Sequence, residues 1–347
     1  MPGAADADQQ LELVTYLKSM GFTDAEIAAN DARSANLVSG RVLFGAEGRI
    51  TVAEVAARAG CDEALVRKVR LAAGLPDGGD DPVCSPREAD VMAGFAAGVA
   101  VFGEAVTLQF VRVVGNAMSA VAEAALATFS TNRQVALVDG GASLVEIARA
   151  GADATTALLS VPPVMDVLLR LHFAGASVAR FAGTDPGPMV SLAVGFVDLV
   201  ASTQLTLALS GTELAAALTD FEQCASDAVV AAGGRIVKRI GDAVMFVTSD
   251  PSGACAAAAA MLESVARHPQ LHTARAAVTW GALLPRDGDY FGRAVNLASR
   301  AVALAEPGAL VVDEAARDML PASSVVALGA QSLKGFDDPV PLFLFRG

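Results

Sequence analysis

At 347 residues the chain exceeds the usual size of one hydrophobic core, so two domains are expected. Its formal net charge of -13 argues against a long nucleic-acid backbone as main partner, because phosphate binding relies on clustered Lys and Arg; an acidic chain that handles phosphates would need metal ions. The four cysteines, Cys61, Cys84, Cys224 and Cys255, show neither CxxC pairing nor zinc-type spacing, which speaks against a disulfide scaffold or a structural zinc.

The start, "MPGAADADQQ", lacks the basic n-region of a signal peptide, and reduced cysteines fit a cytoplasmic protein. Ala-rich segments with a 3.6-residue rhythm follow, among them "DEALVRKVRLAAG" and "SLVEIARAGADATTALL", and imply an all-α N-terminal half. Within it, Ile50 to Pro76 has the pattern of a helix-turn-helix, with Gly60 near the turn and Arg67, Lys68 and Arg70 on the would-be recognition helix. Set against DNA binding are the acidic chain and the "PDGGDD" that follows, which favour a helical pair used for packing.

The mean hydropathy of +0.47 raises the question of a membrane span. The longest apolar stretches, from Ala89 to Phe129, are interrupted by Glu104, Arg112 and Glu123, whereas a span needs about 18 or more apolar residues with few charges. They are expected to be buried helices of a soluble bundle rather than membrane spans.

The chain changes character near "TDPGPM", Thr184 to Met189. Beyond it, "VSLAVGFVDLV" reads as a buried strand, "TELAAALTDFEQCASDAVVAA" as a helix, "GRIVKRI" and "AVMFVT" as a hairpin, and "SGACAAAAAMLESVAR" as a second helix. "ARAAVTWGALL" reads as a strand, "RAVNLASRAVALA" as a helix, and "ALVVD", "SVVAL" and "PLFLF" as short strands. Two helices on one face of a largely antiparallel sheet make an α+β sandwich of the ferredoxin-like βαββαβ kind.

In that topology the first strand lies beside the hairpin, so Asp198 in "GFVDLV" and Asp242 in "RIGDAV" could meet. Two carboxylates with no histidine nearby in sequence form a hard-oxygen site suited to Mg²⁺ or Mn²⁺ on substrate phosphates. Taken singly, Asp242 reads as a turn residue after Gly241 and Asp198 as a strand-end cap. A third constellation changes that balance: "DYFGRAVNLASR" sets Asn296 and Arg300 four apart on one helix face, with Asp289 in the loop entering the helix. An amide and a guanidinium on one face suit ribose and phosphate oxygens.

Together, "FVDLVASTQLT", "KRIGDAVMF" and "GDYFGRAVNLASR" resemble the class III nucleotidyl cyclases, over roughly Val190 to Gly347. The resemblance implies that Asp198 and Asp242, with the carbonyl of Leu199, hold two divalent cations, that Asn296 orients the ribose, and that Arg300 stabilises charge on the α-phosphate. Lys334 in "SLKGF" matches a phosphate-binding lysine of the family. Lys238 and Asp289 then read the base. An ammonium paired with a carboxylate matches N1 and N6 of adenine and mismatches guanine, so the substrate implied is ATP. Because such sites lie between two cyclase domains, a head-to-tail homodimer with two equivalent sites is implied. Where the family usually carries glycine, Ala201 stands in "DLVAST", beside the hydroxyls of Ser202 and Thr203.

The layout also resembles bacterial cyclases whose helical N-terminal domain represses the catalytic half and responds to acid, some binding fatty acid. By that resemblance residues 1–162 form a regulatory domain, 163–187 a linker helix and 188–347 the catalytic domain, with the helices from Val91 to Leu168 able to enclose a lipid chain. His172 lies in the linker helix, and His268 and His272 in the catalytic half. The remaining alternatives are a catalytically weak nucleotide-binding module and a DNA-binding regulator with a nucleotide-sensing domain.

Overall fold

The computed structural model describes residues 4–29, 36–45, 48–181, 189–200 and 207–347; Ala201, Ser202 and Thr203 lie outside the described residues. The chain divides into two compact units, Met1–Phe173 and Ala174–Gly347.

The first unit is helical, from α1 (Ala4–Ser19), α2 (Asp24–Ala29) and α3 (Asn36–Phe44) through α4 (Val52–Ala59), α5 (Glu63–Ala72) and α6 (Glu88–Phe102). It continues with α7 (Glu104–Phe129), a π-helical turn (Ser130–Gln134), α8 (Val135–Asp139), α9 (Leu144–Leu158) and α10 (Val161–Phe181), whose last residues pass into the second unit. The helix-turn-helix pattern is met by α4 and α5. Thr51 and Glu54 form a capping box at the start of α4, Gly60 ends it at φ 66, and Asp62 caps α5. Val52, Val55, Val66 and Val69 meet Met92, Phe95 and Leu108 of α6 and α7 in a small core. Its basic residues are paired with the chain's own acids, and only Arg70 is buried. Arg67 pairs with Asp77, Lys68 with Glu104, and Arg70, 5% exposed, with Glu88. A recognition helix offers its cations to phosphates and base edges; in the chain by itself these three are engaged in ion pairs with its own carboxylates.

The longer helices depart from the expectation of a buried bundle. Two stretches, Glu104–Asp139 and Leu144–Gly175, are long and apolar enough to cross a bilayer, and the most apolar window of each is wholly unburied in the chain. In α7 only Thr107 and Leu108 are buried, while Phe110, Met118 and Leu126 are exposed, as are Val167, Leu169, Leu171 and Phe173 of α10. The reason is geometric: the core under α4 and α5 draws on one end of α7, and among the described residues the remaining length has no second layer over it. The expectation that Val91 to Leu168 encloses a lipid gains nothing here, because these apolar side chains point outward.

The second unit is built on one sheet, with β1 (Val190–Leu199), β2 (Arg235–Ile240), β3 (Ala243–Thr248), β4 (Ala274–Arg286), β5 (Asp289–Phe291), β6 (Leu310–Asp313), β7 (Val325–Gln331) and β8 (Val340–Phe345). Its helices are α11 (Gly211–Ala231), α12 (Pro251–Arg267), α13 (Arg293–Leu304) and the short α14 (Glu314–Arg317). Strand order is β2-β3-β1-β4-β6-β8-β7, with β5 paired to β4. The part β1-α11-β2-β3-α12-β4, ordered β2-β3-β1-β4 and antiparallel throughout, is the expected ferredoxin-like βαββαβ unit. The β4–β6 pair is parallel.

Both sheet faces are covered, which is why β1 reads as an unbroken apolar run. Ala193 and Val197 pack under Ala217, Phe221, Ala254 and Met261 of α11 and α12, as expected for two helices on one face. Val194 and Phe196 point the other way, against Leu297, Ala298 and Ala301 of α13. Gly195 is needed for packing, since a Cβ there would lie 2.1 Å from the ring of Phe246, its cross-strand partner.

Candidate active site

The register of β1 with β3 brings two carboxylate-bearing residues together. Asp198, next to last in β1, is opposite Ala243, and the amide of Leu199 lies 3.4 Å from the carbonyl oxygen of Asp242. Asp242 itself follows Gly241 in a two-residue turn between the paired ends Ile240 and Ala243. Gly241, at φ 63, supplies the left-handed conformation that a tight hairpin needs. The turn reading of Asp242 and its place beside Asp198 therefore both hold. Leu199 is buried and the two aspartates are half-buried.

On β4, Arg275 is the direct cross-strand partner of Asp198. Its Nε and Nη2 donate to the same carboxylate oxygen, Oδ2, at 2.9 and 2.8 Å, and its Nη1 donates to the carbonyl of Ala303 at 2.9 Å. Sequence reasoning missed this residue. The available signal was a lone arginine at the head of the apolar run "ARAAV", but only the strand register names its partner.

The second pair also meets. Lys238 on β2 donates to Oδ2 of Asp289 at the start of β5, and the amide of Tyr290 donates to Oδ1 at 2.7 Å. The two residues are 51 apart in sequence and are joined because the β4–β5 hairpin returns toward β2. On α13, Ala294, Leu297, Ala298 and Ala301 are buried, whereas Asn296 and Arg300 are exposed on the opposite face. Lys334 is exposed in the loop between β7 and β8.

The histidines are dispersed. His172 is exposed on α10, and His268 closes α12, its Nδ1 accepting from the amides of Gln270 and Leu271 and its Nε2 lying 3.3 Å from Asp220. Elsewhere in this unit, burial pushes the Asp313 carboxyl up to about 6 and the Cys255 thiol up to about 12. Cys255 is thus an inert core thiol. Among the described residues, no group of three or more His, Cys, Asp and Glu gathers as a self-sufficient metal centre.

Comparison with known proteins agrees with this architecture. Residues 1–176 match the family model of the adenylate cyclase regulatory domain. An uncharacterised protein of Mycobacterium tuberculosis is 35% identical over 353 residues, covering 98% of this chain and 91% of its own. An adenylate cyclase of Streptomyces coelicolor is 31% identical over 285 residues, covering 79% of this chain and 72% of its own. A pH-sensitive adenylate cyclase of M. tuberculosis is 29% identical over 331 residues, with 92% and 81% covered. Among solved structures, the adenylyl cyclase CyaB from P. aeruginosa overlaps 45% of this chain and 94% of its own at 23% identity, with a TM-score of 0.40. The chain belongs to the adenylate cyclase family, with that family's regulatory domain at its N-terminal end.

Proposed function

We propose that the chain converts ATP to 3',5'-cyclic AMP and pyrophosphate at sites shared between two copies of itself. The observation that carries this reading is the β1–β3 register, which sets Asp198 beside the Asp242 turn. Two carboxylates at neighbouring strand ends fit hard divalent cations, Mg²⁺ or Mn²⁺, two per site, with substrate phosphates completing the ligand set. When bound, such ions supply activation of the ribose 3'-hydroxyl and neutralisation of the triphosphate.

The chain's own residues divide the remaining work. Asp198, Asp242 and the Leu199 carbonyl hold the cations. Asn296 hydrogen-bonds the ribose and turns its 3'-oxygen toward the α-phosphate; Arg300 donates to oxygens there that gain charge. Lys334 contacts the phosphates. The Lys238 ammonium donates to N1 of adenine, and Asp289 accepts from the N6 amine. Their existing ion pair presets both groups, and guanine would meet a donor with a donor and an acceptor with an acceptor.

The metal-holding residues of one copy act with Lys238, Asp289, Asn296 and Arg300 of the other, so a homodimer through the cyclase domains completes two sites. Residues 188–347 are the catalytic domain, 163–187 the connection and 1–162 the regulatory domain, and the protein works in the cytoplasm. The exposed apolar length of α7 fits cover by a second copy better than a membrane span, because Arg112, Glu123 and Arg133 interrupt α7 and the turn that extends it. Sensitivity to pH, the property named for one relative, is proposed for this chain on its shared layout, with a gain in activity on acidification.

The test is cyclic AMP formation from ATP and Mn²⁺. Asp198→Ala and Asp242→Ala are each expected to abolish it while leaving the dimer intact. Mixing Asp198→Ala with Asn296→Ala protein is expected to restore one working site per mixed dimer. Turnover near the parental rate in either aspartate variant, or no recovery from an exchanging mixture, refutes the shared-site reading. Nucleotide binding without cyclic AMP would favour the catalytically weak module instead.

A further inference from the structure

We propose that Arg275 is a positioning residue that fixes which oxygen of Asp198 is offered to a divalent cation. The inference rests on the assignment of Asp198 as a metal ligand. Both guanidinium donors that reach Asp198 go to Oδ2, and among the described residues no donor reaches Oδ1. The carboxylate is therefore pinned by one edge while its other oxygen is left as a donor on a half-buried group, 20% exposed in the side chain.

Arg275 is itself anchored on two sides. As the cross-strand partner of Asp198 in the β1–β4 register, its Cβ lies within a few ångströms of that of the aspartate. Its Nη1 takes the carbonyl of Ala303, one of the last-turn carbonyls of α13 that no helical amide can reach. A cation at a helix C-terminus is also favoured by the helix dipole. The planar, always-charged guanidinium can serve all three contacts at once; an ammonium cannot hold two bonds to one oxygen side by side. Because α13 carries Asn296 and Arg300, which on the shared-site reading serve the other of the two sites, the same side chain ties a metal-holding strand end of one site to a helix of the second.

A bare electrostatic role would have the opposite sign. A fixed cation on a metal ligand repels the metal, so deleting it would tighten binding if charge were all that mattered. If orientation dominates, deletion weakens binding, as for other groups that hold a metal ligand in place, where losses of about 10- to 100-fold in affinity or activity are typical.

The experiment uses the full chain carrying Arg275→Gln, Arg275→Lys or, as control, Asp198→Asn. Free Mn²⁺ is followed by electron paramagnetic resonance in the presence of a non-cyclisable ATP analogue, and kcat and KM for ATP are measured separately. Arg275→Gln is expected to weaken Mn²⁺ binding and lower kcat by about 10-fold or more with KM for ATP changed by about threefold at most. Arg275→Lys should recover only part of the loss, because charge is restored without the planar pair of donors. Tighter Mn²⁺ binding in Arg275→Gln, or parental Mn²⁺ binding and kcat in both arginine variants, overturns the proposal. Parental Mn²⁺ binding in Asp198→Asn would instead overturn the metal assignment on which it stands. Should Arg275→Gln fail to fold, the Arg275→Lys comparison decides alone: full parental behaviour refutes positioning.

Discussion

Replacing Asp313 by Asn tests whether the second unit carries a proton-linked weakness in its core. Asp313 ends β6 and caps α14; its Oδ1 accepts from the amides of Ala316 at 2.9 Å and Trp280 at 3.2 Å, and the residue is 6% exposed. Burial raises its carboxyl from 3.8 to about 6, against the opposing pull of these two hydrogen bonds and of the Arg293 guanidinium. The folded chain thus binds this proton more tightly than the unfolded chain does. The associated stability is fully present below the unfolded value, near 3.8, and is lost as pH rises through about 6. At about 1.4 kcal/mol per unit, a shift of this size corresponds to roughly 3 kcal/mol at neutral pH, an upper bound because local relaxation reduces it. Asn retains the single oxygen that accepts both amides and removes the charge. Asp313→Asn should therefore stabilise the second unit by about 1–3 kcal/mol at pH 7.5 and by much less at pH 4.5. Urea unfolding followed by fluorescence reads this unit selectively, because Trp280 is the chain's one tryptophan and donates its own amide to Asp313. An equal difference between parent and variant at both pH values would refute the reasoning.

Two further outcomes are expected. Exchanging Lys238 for Glu together with Asp289 for Cys should cut turnover of ATP by orders of magnitude without a matching gain for GTP, measured as kcat/KM on both nucleotides; an unchanged ATP preference would place base reading elsewhere. A shortened chain starting at Thr184 should be active with little pH dependence beyond that of the chemistry. The full chain should be less active at neutral pH and gain on acidification, and coincident pH–rate profiles of the two would remove the regulatory role of the helical unit.

Much of the placement of the candidate site's residues was legible because they stand on elements with strong local signals. "RIGDAV" announces a two-residue turn through Gly241, and the alternation around it fixes which strands Asp242 separates. Asn296 and Arg300 share the exposed face of α13 because helix periodicity, written in Ala294, Leu297, Ala298 and Ala301, turns the other face to the sheet. The βαββαβ order was likewise legible, since apolar runs of strand length alternate with helical ones.

What the sequence could not decide were contacts set by register and by missing cover. Nothing local links Arg275 to Asp198 or Lys238 to Asp289, at separations of 77 and 51 residues; a slip of one residue in β1–β4 would send Arg275 to the opposite face. The apolar helix α7 reads as core because composition reports hydrophobicity and not what lies against it; only the tertiary structure reveals that, among the described residues, most of its length stays uncovered. The helix-turn-helix pattern, likewise, does not by itself say what its cations face. The local sequence determines the turn and the charges on α5, but whether Arg67, Lys68 and Arg70 face phosphates or the chain's own carboxylates depends on Asp77, Glu88 and Glu104, which only folding brings within reach.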